Sequence, residues 1–223
     1  MSFSISYLNY LIVFFAISLI SCVQGEKAPV GPLLIKDSTE VYYQTAMRPF
    51  YHGVASGDPR QQEVVIWTRF TPKRHGEYSI KWEISNTSDF AHILQTGEAL
   101  TSSKQDYTVK KQIQDLKPDT YYWYRFSYQS SYSVIGRTKT LPENPKELRL
   151  VSVSCNAYES GYFNAFELIG SDTVGIDAII HLGDYIYEGF SPKFITKKDR
   201  IPLPKKELIS LQDYRTRYAQ YRL

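Results

Sequence analysis

A thiol, a carboxylate and a phenol occur at the ends of two apolar runs of the chain, and each is a metal-ligand type. Cys155 and Asn156 follow the first run, and Asp184 and Tyr187 follow the second in a Gly-Asp-x-x-Tyr pattern. Both Asp184 and Tyr187 can face one side if the chain turns after Gly183, because glycine permits a close backbone approach. A Gly-Asp pair alone is common, whereas this pattern opposite a cysteine at another strand end is more specific.

The surrounding residues predict a β-α-β unit that would position these side chains. Residues 148–154 read as a strand, residues 162–169 as a short amphipathic helix, and residues 177–182 as a nearly all-apolar strand typical of buried parallel sheets. The crossover is expected to be right-handed. Because ligands bind at the carboxyl ends of such strands, the candidate ligands would meet at one edge of the sheet.

The chain before this unit predicts a β-sandwich. Aromatic residues make up 15% of the sequence, with 19 tyrosines, and such an excess favours β-structure. Six or seven strands over about ninety residues fit a sandwich. Five of these strands are predicted at residues 63–70, 78–84, 106–113, 121–128 and 133–140.

Residues 116–122 resemble the turn and following strand of fibronectin type III domains. In those domains a tyrosine hydroxyl folds back onto the upstream backbone, and we assign this architectural role to Tyr122. Residues 141–145 contain two prolines and have the composition of a linker. The predicted fold class is therefore multi-domain, with an all-β fibronectin- or Ig-like sandwich followed by the start of an α/β domain.

The composition excludes a disordered tail and a fibrous protein. The 223 residues are 43% hydrophobic and 22% charged, which is typical of a globular protein. The 26 Lys and Arg against 23 Asp and Glu give a net charge of only +3, and basic blocks are absent. We therefore expect no specific nucleic-acid recognition, and we expect a monomer.

The N-terminus reads as a targeting segment. Residues 11–20 are apolar but too short to span a bilayer comfortably, which predicts a signal peptide over residues 1–22. Residues 19–22 resemble a bacterial lipobox, with Cys22 as the lipidated residue, although residues 1–10 contain no Lys or Arg. A plain cleaved signal is the alternative. We expect an exported protein, periplasmic or at the cell surface, tethered by residues 23–44 and touching the membrane only through an anchor at Cys22.

Several ordered motifs resemble the PhoD-like alkaline phosphatase/phosphodiesterase family, over about residues 45–223. The motifs lie at residues 52–59, 65–69, 136–138, 153–155, 161–165, 181–188 and 213–219. The resemblance implies a fibronectin-like domain over residues 45–141 and a calcineurin-like metallophosphoesterase domain over residues 146–223.

The resemblance also implies a metal site. Cys155, Asp184 and Tyr187 would ligate a ferric ion (Fe3+), Asp184 would bridge to calcium (Ca2+), and Asn156 would lie beside the phosphate. Asp184 and Asn156 are thus the expected catalytic residues. Two adjacent metals can clamp a phosphoryl group and activate water, so the expected substrate is a phosphate mono- or diester. Further ligands are expected downstream of residue 223, so we expect an N-terminal portion that is inactive alone and poorly stable in its catalytic half.

Other interpretations of the same residues stay open. The chain could be a lipid-anchored β-sandwich that serves as a binding or scaffold module and carries a remnant metal site. Cys155 could be an inert buried thiol, and Tyr187 an ordinary core aromatic. Arg215 and Arg217 could reach a phosphate, but a solvated face of a helix over residues 208–222 is the expectation for them.

Overall fold

The computed structural model describes residues 31–33, 37–171 and 175–223. The predicted signal peptide and the lipobox at Cys22 lie outside these residues, as does half of the segment 23–44. Its described part contacts the sandwich through a bridge between Leu33 and Arg74 and through stacking of Tyr43 on Tyr51. No helix of the described chain has the length and apolar character needed to cross a membrane.

Among the described residues of the first part of the chain, eight strands form two antiparallel sheets. One sheet has the order β1-β2-β5, and the other has the order β4-β3-β6-β7 with β8 also paired to β6. The strands are β1 (Val54–Gly57), β2 (Val64–Arg69), β3 (Tyr78–Ser85), β4 (Ile93–Thr101), β5 (Thr108–Ile113), β6 (Tyr121–Tyr128), β7 (Ser131–Tyr132) and β8 (Gly136–Lys139). One-turn 3-10 segments lie at Glu40–Tyr42, Thr45–Met47, Ser103–Gln105 and Pro192–Phe194.

Side chains from the inner faces of both sheets form one core, which confirms the predicted sandwich. Along β2, Val64 and Ile66 are fully buried, and along β6 the alternate residues Tyr122, Tyr124 and Phe126 are buried. This period of two is what a strand with one face on a core requires. All five predicted strands are present, and the structure adds β1, β4 and β7.

Tyr122 has the predicted architectural role. Its hydroxyl accepts a hydrogen bond of 2.8 Å from the Lys117 backbone N–H, five residues upstream, and its side chain is buried. The Thr140 hydroxyl donates to the Lys117 carbonyl at 2.7 Å, which secures the same turn from the end of the last strand. These bonds close the sandwich at the corner that leads into β6.

The second part of the chain contains the expected β-α-β unit, formed by β9 (Leu150–Val153), α1 (Asn164–Gly170) and β10 (Ala178–His181). Helix α2 (Leu211–Tyr221) follows this unit. Strands β9 and β10 pair in parallel, as predicted, with Ala178 opposite Leu150 and His181 opposite Val153.

The prediction that the second strand is buried is wrong for the described chain. Ile179 and Ile180 are 49% and 45% exposed, and Leu150 on the neighbouring strand is 53% exposed. Strands β9 and β10 form a two-stranded sheet, so each is an edge strand, and α1 contributes no buried side chain. The apolar sequence is therefore present without the covering layers that parallel sheets usually have.

Helix α2 lies against the sandwich and against the loops that follow β10. It begins after Ser210 and is shorter than the predicted 208–222. The half-buried Arg215 donates to the Ser103 and Lys104 carbonyls of the sandwich, the latter at 2.9 Å. Arg217, in contrast, is only 1% exposed, so the predicted solvated face is wrong for this residue.

Candidate metal centre

Two loops meet at the carboxyl edge of the parallel strand pair. The Cys155 backbone N–H donates to the Gly183 carbonyl at 3.2 Å, and the Asn156 N–H donates to the Asp184 carbonyl at 2.9 Å. These bonds continue the pairing of β9 and β10 past the ends of both strands. The first loop is thereby held against the second where the candidate ligands begin.

The backbone at this edge has three left-handed residues. The φ angles are +62° at Cys155, +129° at Gly183 and +54° at Asp184. Glycine adopts such a conformation without steric cost, whereas a residue with a Cβ loses roughly 1 kcal/mol. Strained backbone of this kind concentrates at functional sites, because the surrounding structure must hold it in place.

The side chains of Cys155, Asp184 and Tyr187 converge on one carboxylate oxygen. The Cys155 thiol donates to Asp184 Oδ2 at 3.6 Å, and the Tyr187 hydroxyl donates to the same oxygen at 3.3 Å. Cys155 and Asp184 are exposed and Tyr187 is half-buried. The three candidates are therefore neighbours in space, with an open side toward solvent.

The electrostatics of the cluster favour the protonated phenol. A hydrogen bond with the Cys155 side chain raises the pKa of Tyr187 above its usual value, and burial and the negative charge of Asp184 raise it further. Anionic neighbours oppose a second anion, whereas a bound cation reverses this effect and stabilises a phenolate. The arrangement therefore suits a cation at its centre.

Asn156 and His181 border the cluster. Asn156 is 6% exposed, so the residue expected beside the phosphate is mostly covered. His181 Nδ1 accepts a bond of 3.3 Å from the Gly183 N–H, and its ring stacks on Phe166 and contacts Tyr185 edge-on. Its Nε2 is buried and has no hydrogen-bond partner among the described residues. His181 is thus packed among aromatic side chains, with one nitrogen unpaired among the described residues.

The donor set fits part of an iron site. Within the described residues, no three His, Cys, Asp or Glu side chains are grouped to hold a metal ion, so this cluster depends on its phenol as the third donor. A carboxylate, a phenolate and a thiolate are all anionic, which suits a trivalent cation. Calcium takes six to eight oxygen ligands, and in the described cluster Asp184 supplies the one carboxylate that could contact a second ion.

Sequence reasoning missed the role of Arg217. This buried side chain bonds the backbone carbonyls of Tyr187 and Gly189, in the loop that carries the phenol. A signal was present, because Arg215 and Arg217 are two residues apart on a predicted helix and such residues do not share a face. One solvated face could not contain both.

Two family models match the chain in sequence order. The model for the PhoD-like phosphatase N-terminal domain matches residues 36–142, and the model for the PhoD-like phosphatase matches residues 150–223. The chain belongs to the PhoD-like phosphatase family. The family resemblance seen in the sequence motifs is thereby confirmed, and the match divides the chain between the sandwich and the β-α-β unit.

One similar protein and one similar solved structure agree with this family assignment. Alkaline phosphatase D of Bacillus subtilis (strain 168) is 35% identical over 185 residues, which cover 78% of this chain and 31% of that protein. A solved structure described as that of PhoD has a TM-score of 0.69 and 33% identity, and covers 80% of this chain and 36% of that one. The chain spans about a third of the length of each relative.

Proposed function

We propose that this chain belongs to an exported, metal-dependent alkaline phosphatase/phosphodiesterase that hydrolyses phosphate mono- or diesters through an iron-calcium site. Family membership supports hydrolysis of phosphate esters. The observation that carries the metal site is the convergence of Cys155 and Tyr187 on Asp184 Oδ2. Export to the periplasm or the cell surface, with a lipid anchor at Cys22, rests on the apolar run over residues 11–20.

The proposal assigns a role to each side chain of the cluster. Cys155, Asp184 and Tyr187 would hold Fe3+, and Asp184 would also help to hold Ca2+. The bound metals would supply Lewis-acid stabilisation of the charge that develops on the phosphoryl oxygens. Asn156 lies next to Cys155 in the loop tied to Asp184, which supports its assignment beside the phosphate.

The chain's own residues prepare the site for a cation. The thiol and the phenol both direct their protons to Asp184 Oδ2, so their sulfur and oxygen atoms lie within 3.6 Å of this oxygen. Both side chains would have to lose these protons to ligate a metal ion. The paired loops and their left-handed residues hold this geometry, so little rearrangement would accompany binding.

The experiment combines iron spectroscopy with Fe3+ affinity. The purified chain is titrated with Fe3+ and Ca2+, its visible spectrum is recorded, and hydrolysis of p-nitrophenyl phosphate and bis(p-nitrophenyl) phosphate is measured. A ferric ion held by a tyrosinate absorbs visible light. We expect the band in the wild-type chain, its loss in Tyr187→Phe and its retention in the matched control Tyr185→Phe.

Fe3+ affinity supplies the second readout, because little or no hydrolysis is expected of the chain alone. We expect Asp184→Asn to weaken Fe3+ binding by about 10-fold or more, because the carboxylate is the group on which the cluster is centred. A band that survives in Tyr187→Phe, or Fe3+ affinity that is unchanged in Asp184→Asn, would contradict the proposed site. A wild-type chain without the band would favour the binding-module alternative.

A further inference from the structure

Arg217 is a buried cation whose described hydrogen bonds all go to backbone carbonyls. It is 1% exposed and is the largest fully buried side chain of the described chain. Burial lowers the pKa of its guanidinium from the usual value. Burying a charge is costly unless hydrogen bonds compensate it. Here the guanidinium donates to four backbone carbonyls.

The guanidinium joins two loops to helix α2. In the loop after β10, Nη1 donates to the Tyr187 and Gly189 carbonyls. In the loop before α2, Nε donates to the Leu203 carbonyl at 2.8 Å and Nη2 to the Pro204 carbonyl at 2.9 Å. The fixed fork of a guanidinium can bond several acceptors at once, which a lysine ammonium on its flexible stem does less well.

Helix α2 contacts the backbone on both sides of Tyr187. Arg217 bonds the Tyr187 carbonyl. Tyr221 lies four residues after Arg217, on the same face of the helix, and its hydroxyl accepts a hydrogen bond of 3.3 Å from the Tyr158 N–H. The Tyr187 N–H also acts on this hydroxyl and opposes the rise that burial causes in the pKa of Tyr221. The Leu208 N–H secures the next carbonyl, that of Glu188, at 2.9 Å.

Gln220 provides a structural comparison within the same helix. It is fully buried, accepts from the Leu203 N–H at 2.7 Å and donates to the Ile201 carbonyl at 2.8 Å. It therefore ties the loop before α2 but makes no described bond to residues 187–189. Loss of Gln220 or of Arg217 would loosen the loop before α2. Loss of Arg217 alone would also release the Tyr187 backbone.

We propose that Arg217 is a positioning residue which, with Tyr221, holds the Tyr187 phenol against Cys155 and Asp184 so that the three can ligate iron. This inference rests on the proposed iron site and extends it to a helix that contributes no ligand. Residues that orient metal ligands in this way typically affect metal affinity by about 10- to 100-fold when they are replaced.

The test measures Fe3+ affinity and the visible band in matched arginine variants of the full chain. Arg217→Met and Arg217→Lys are compared with Arg215→Met and Arg215→Lys, the same substitutions at a half-buried arginine whose described bonds go to the sandwich and not to the Tyr187 loop. We expect about tenfold weaker Fe3+ binding and a shifted or weakened band in Arg217→Met, with a smaller loss in Arg217→Lys. The Arg215 variants should stay within about twofold of the wild-type chain.

Two further variants separate positioning from general destabilisation. Gln220→Met should lower the midpoint of thermal unfolding while leaving Fe3+ affinity and the band unchanged. If neither Arg217 variant folds, Tyr221→Phe decides. Weaker Fe3+ binding in that variant supports the positioning of Tyr187 by helix α2, and unchanged binding overturns it. A folded Arg217 variant that binds Fe3+ as the wild-type chain does also overturns the inference.

These outcomes are distinct from failure of the proposed function. If the wild-type chain shows no Tyr187-dependent band, the iron site itself is wrong. If the wild-type band is present and unaffected in the Arg217 variants, only the positioning role is wrong.

Discussion

His52 is a buried histidine whose charge state is decided by its neighbours. It is 1% exposed, and its Nε2 lies 3.2 Å from Nη1 of Arg69, which forms two hydrogen bonds to the Asp106 carboxylate. Burial, with the positive charges of Arg69 and Arg222, lowers the pKa of His52 to about 3, and only Asp37 acts in the opposite direction. The folded chain therefore keeps this imidazole neutral at pH values where a free histidine is protonated.

This difference predicts a pH-dependent stability. The unfolded chain protonates His52 near pH 6.5, whereas the folded chain does so only near pH 3. Since the unfolded state binds the extra proton between these values, the free energy of unfolding should fall as pH decreases through this window, by roughly 1 kcal/mol per pH unit. Urea unfolding of the wild-type chain and of His52→Gln between pH 7 and 4 measures this slope.

His52→Gln should reduce the dependence above pH 4.5, where the carboxylates with lowered pKa values, such as Asp37 and Glu83, contribute little. Equal slopes in the two chains over pH 6.5 to 4.5 would show that His52 is not the group responsible.

Helix α2 has a well-defined beginning. The Ser210 hydroxyl accepts from the Asp213 N–H at 3.2 Å, and the Asp213 carboxylate accepts from the Ser210 N–H at 3.0 Å. This reciprocal pair satisfies backbone donors that the first turn of a helix leaves without partners. It explains why α2 begins at Leu211, three residues after the predicted start.

Loss of this cap should weaken the helix. We expect Ser210→Ala to lower the free energy of unfolding by about 1 kcal/mol, because the Asp213 N–H loses its acceptor. Ser191 precedes the 3-10 segment Pro192–Phe194 without a side-chain capping bond, so Ser191→Ala is the matched control. Urea unfolding of the three chains measures the difference, and an equal effect of both substitutions would contradict the capping role.

The two parts of the whole molecule are joined by helix α2 and by a separate ion pair. Lys139 Nζ, at the end of β8, lies 2.7 Å from the Asp177 carboxylate and 2.9 Å from that of Asp119. Asp177 directly precedes β10, and its other oxygen accepts from the Arg149 N–H at 2.9 Å, directly before β9. One lysine of the sandwich is thus connected to the starts of both parallel strands.

Removal of this lysine should loosen the two-stranded sheet more than the sandwich. In Lys139→Met we expect amide hydrogen exchange in β9 and β10 to become several-fold faster, since a mostly buried ion pair, with side chains 19% and 12% exposed, contributes about 1 kcal/mol. Exchange in β3 and β6, whose side chains lie in the core, should stay unchanged. Arg137→Met, an exposed cation on the same strand, is the control, and equal acceleration in both variants would refute the specific role of Lys139.

Local patterns in the sequence were sufficient for much of the fold. The alternation in β2 and β6, the tyrosine corner at Tyr122 and the parallel strand pair could be predicted, because each depends on nearby residues and on general rules of strand pairing. The same rules placed Cys155 and Asp184 at one edge of a sheet. The edge strand β4 was missed because only β3 pairs with it in the described chain, and most of its side chains are exposed.

Only the tertiary structure decided which side chains are buried and where the loops close. Ile179 and Ile180 look like core residues in the sequence, yet they are exposed, since burial depends on what packs over a strand and not on its own composition. Arg217 looks like a surface residue, yet it is buried, because loops of the chain 13 to 30 residues away fold onto its helix and offer it their carbonyls. Sequence alone thus determined the candidate ligands and the edge where they lie, whereas the packing of distant segments determined which groups contact the Tyr187 backbone.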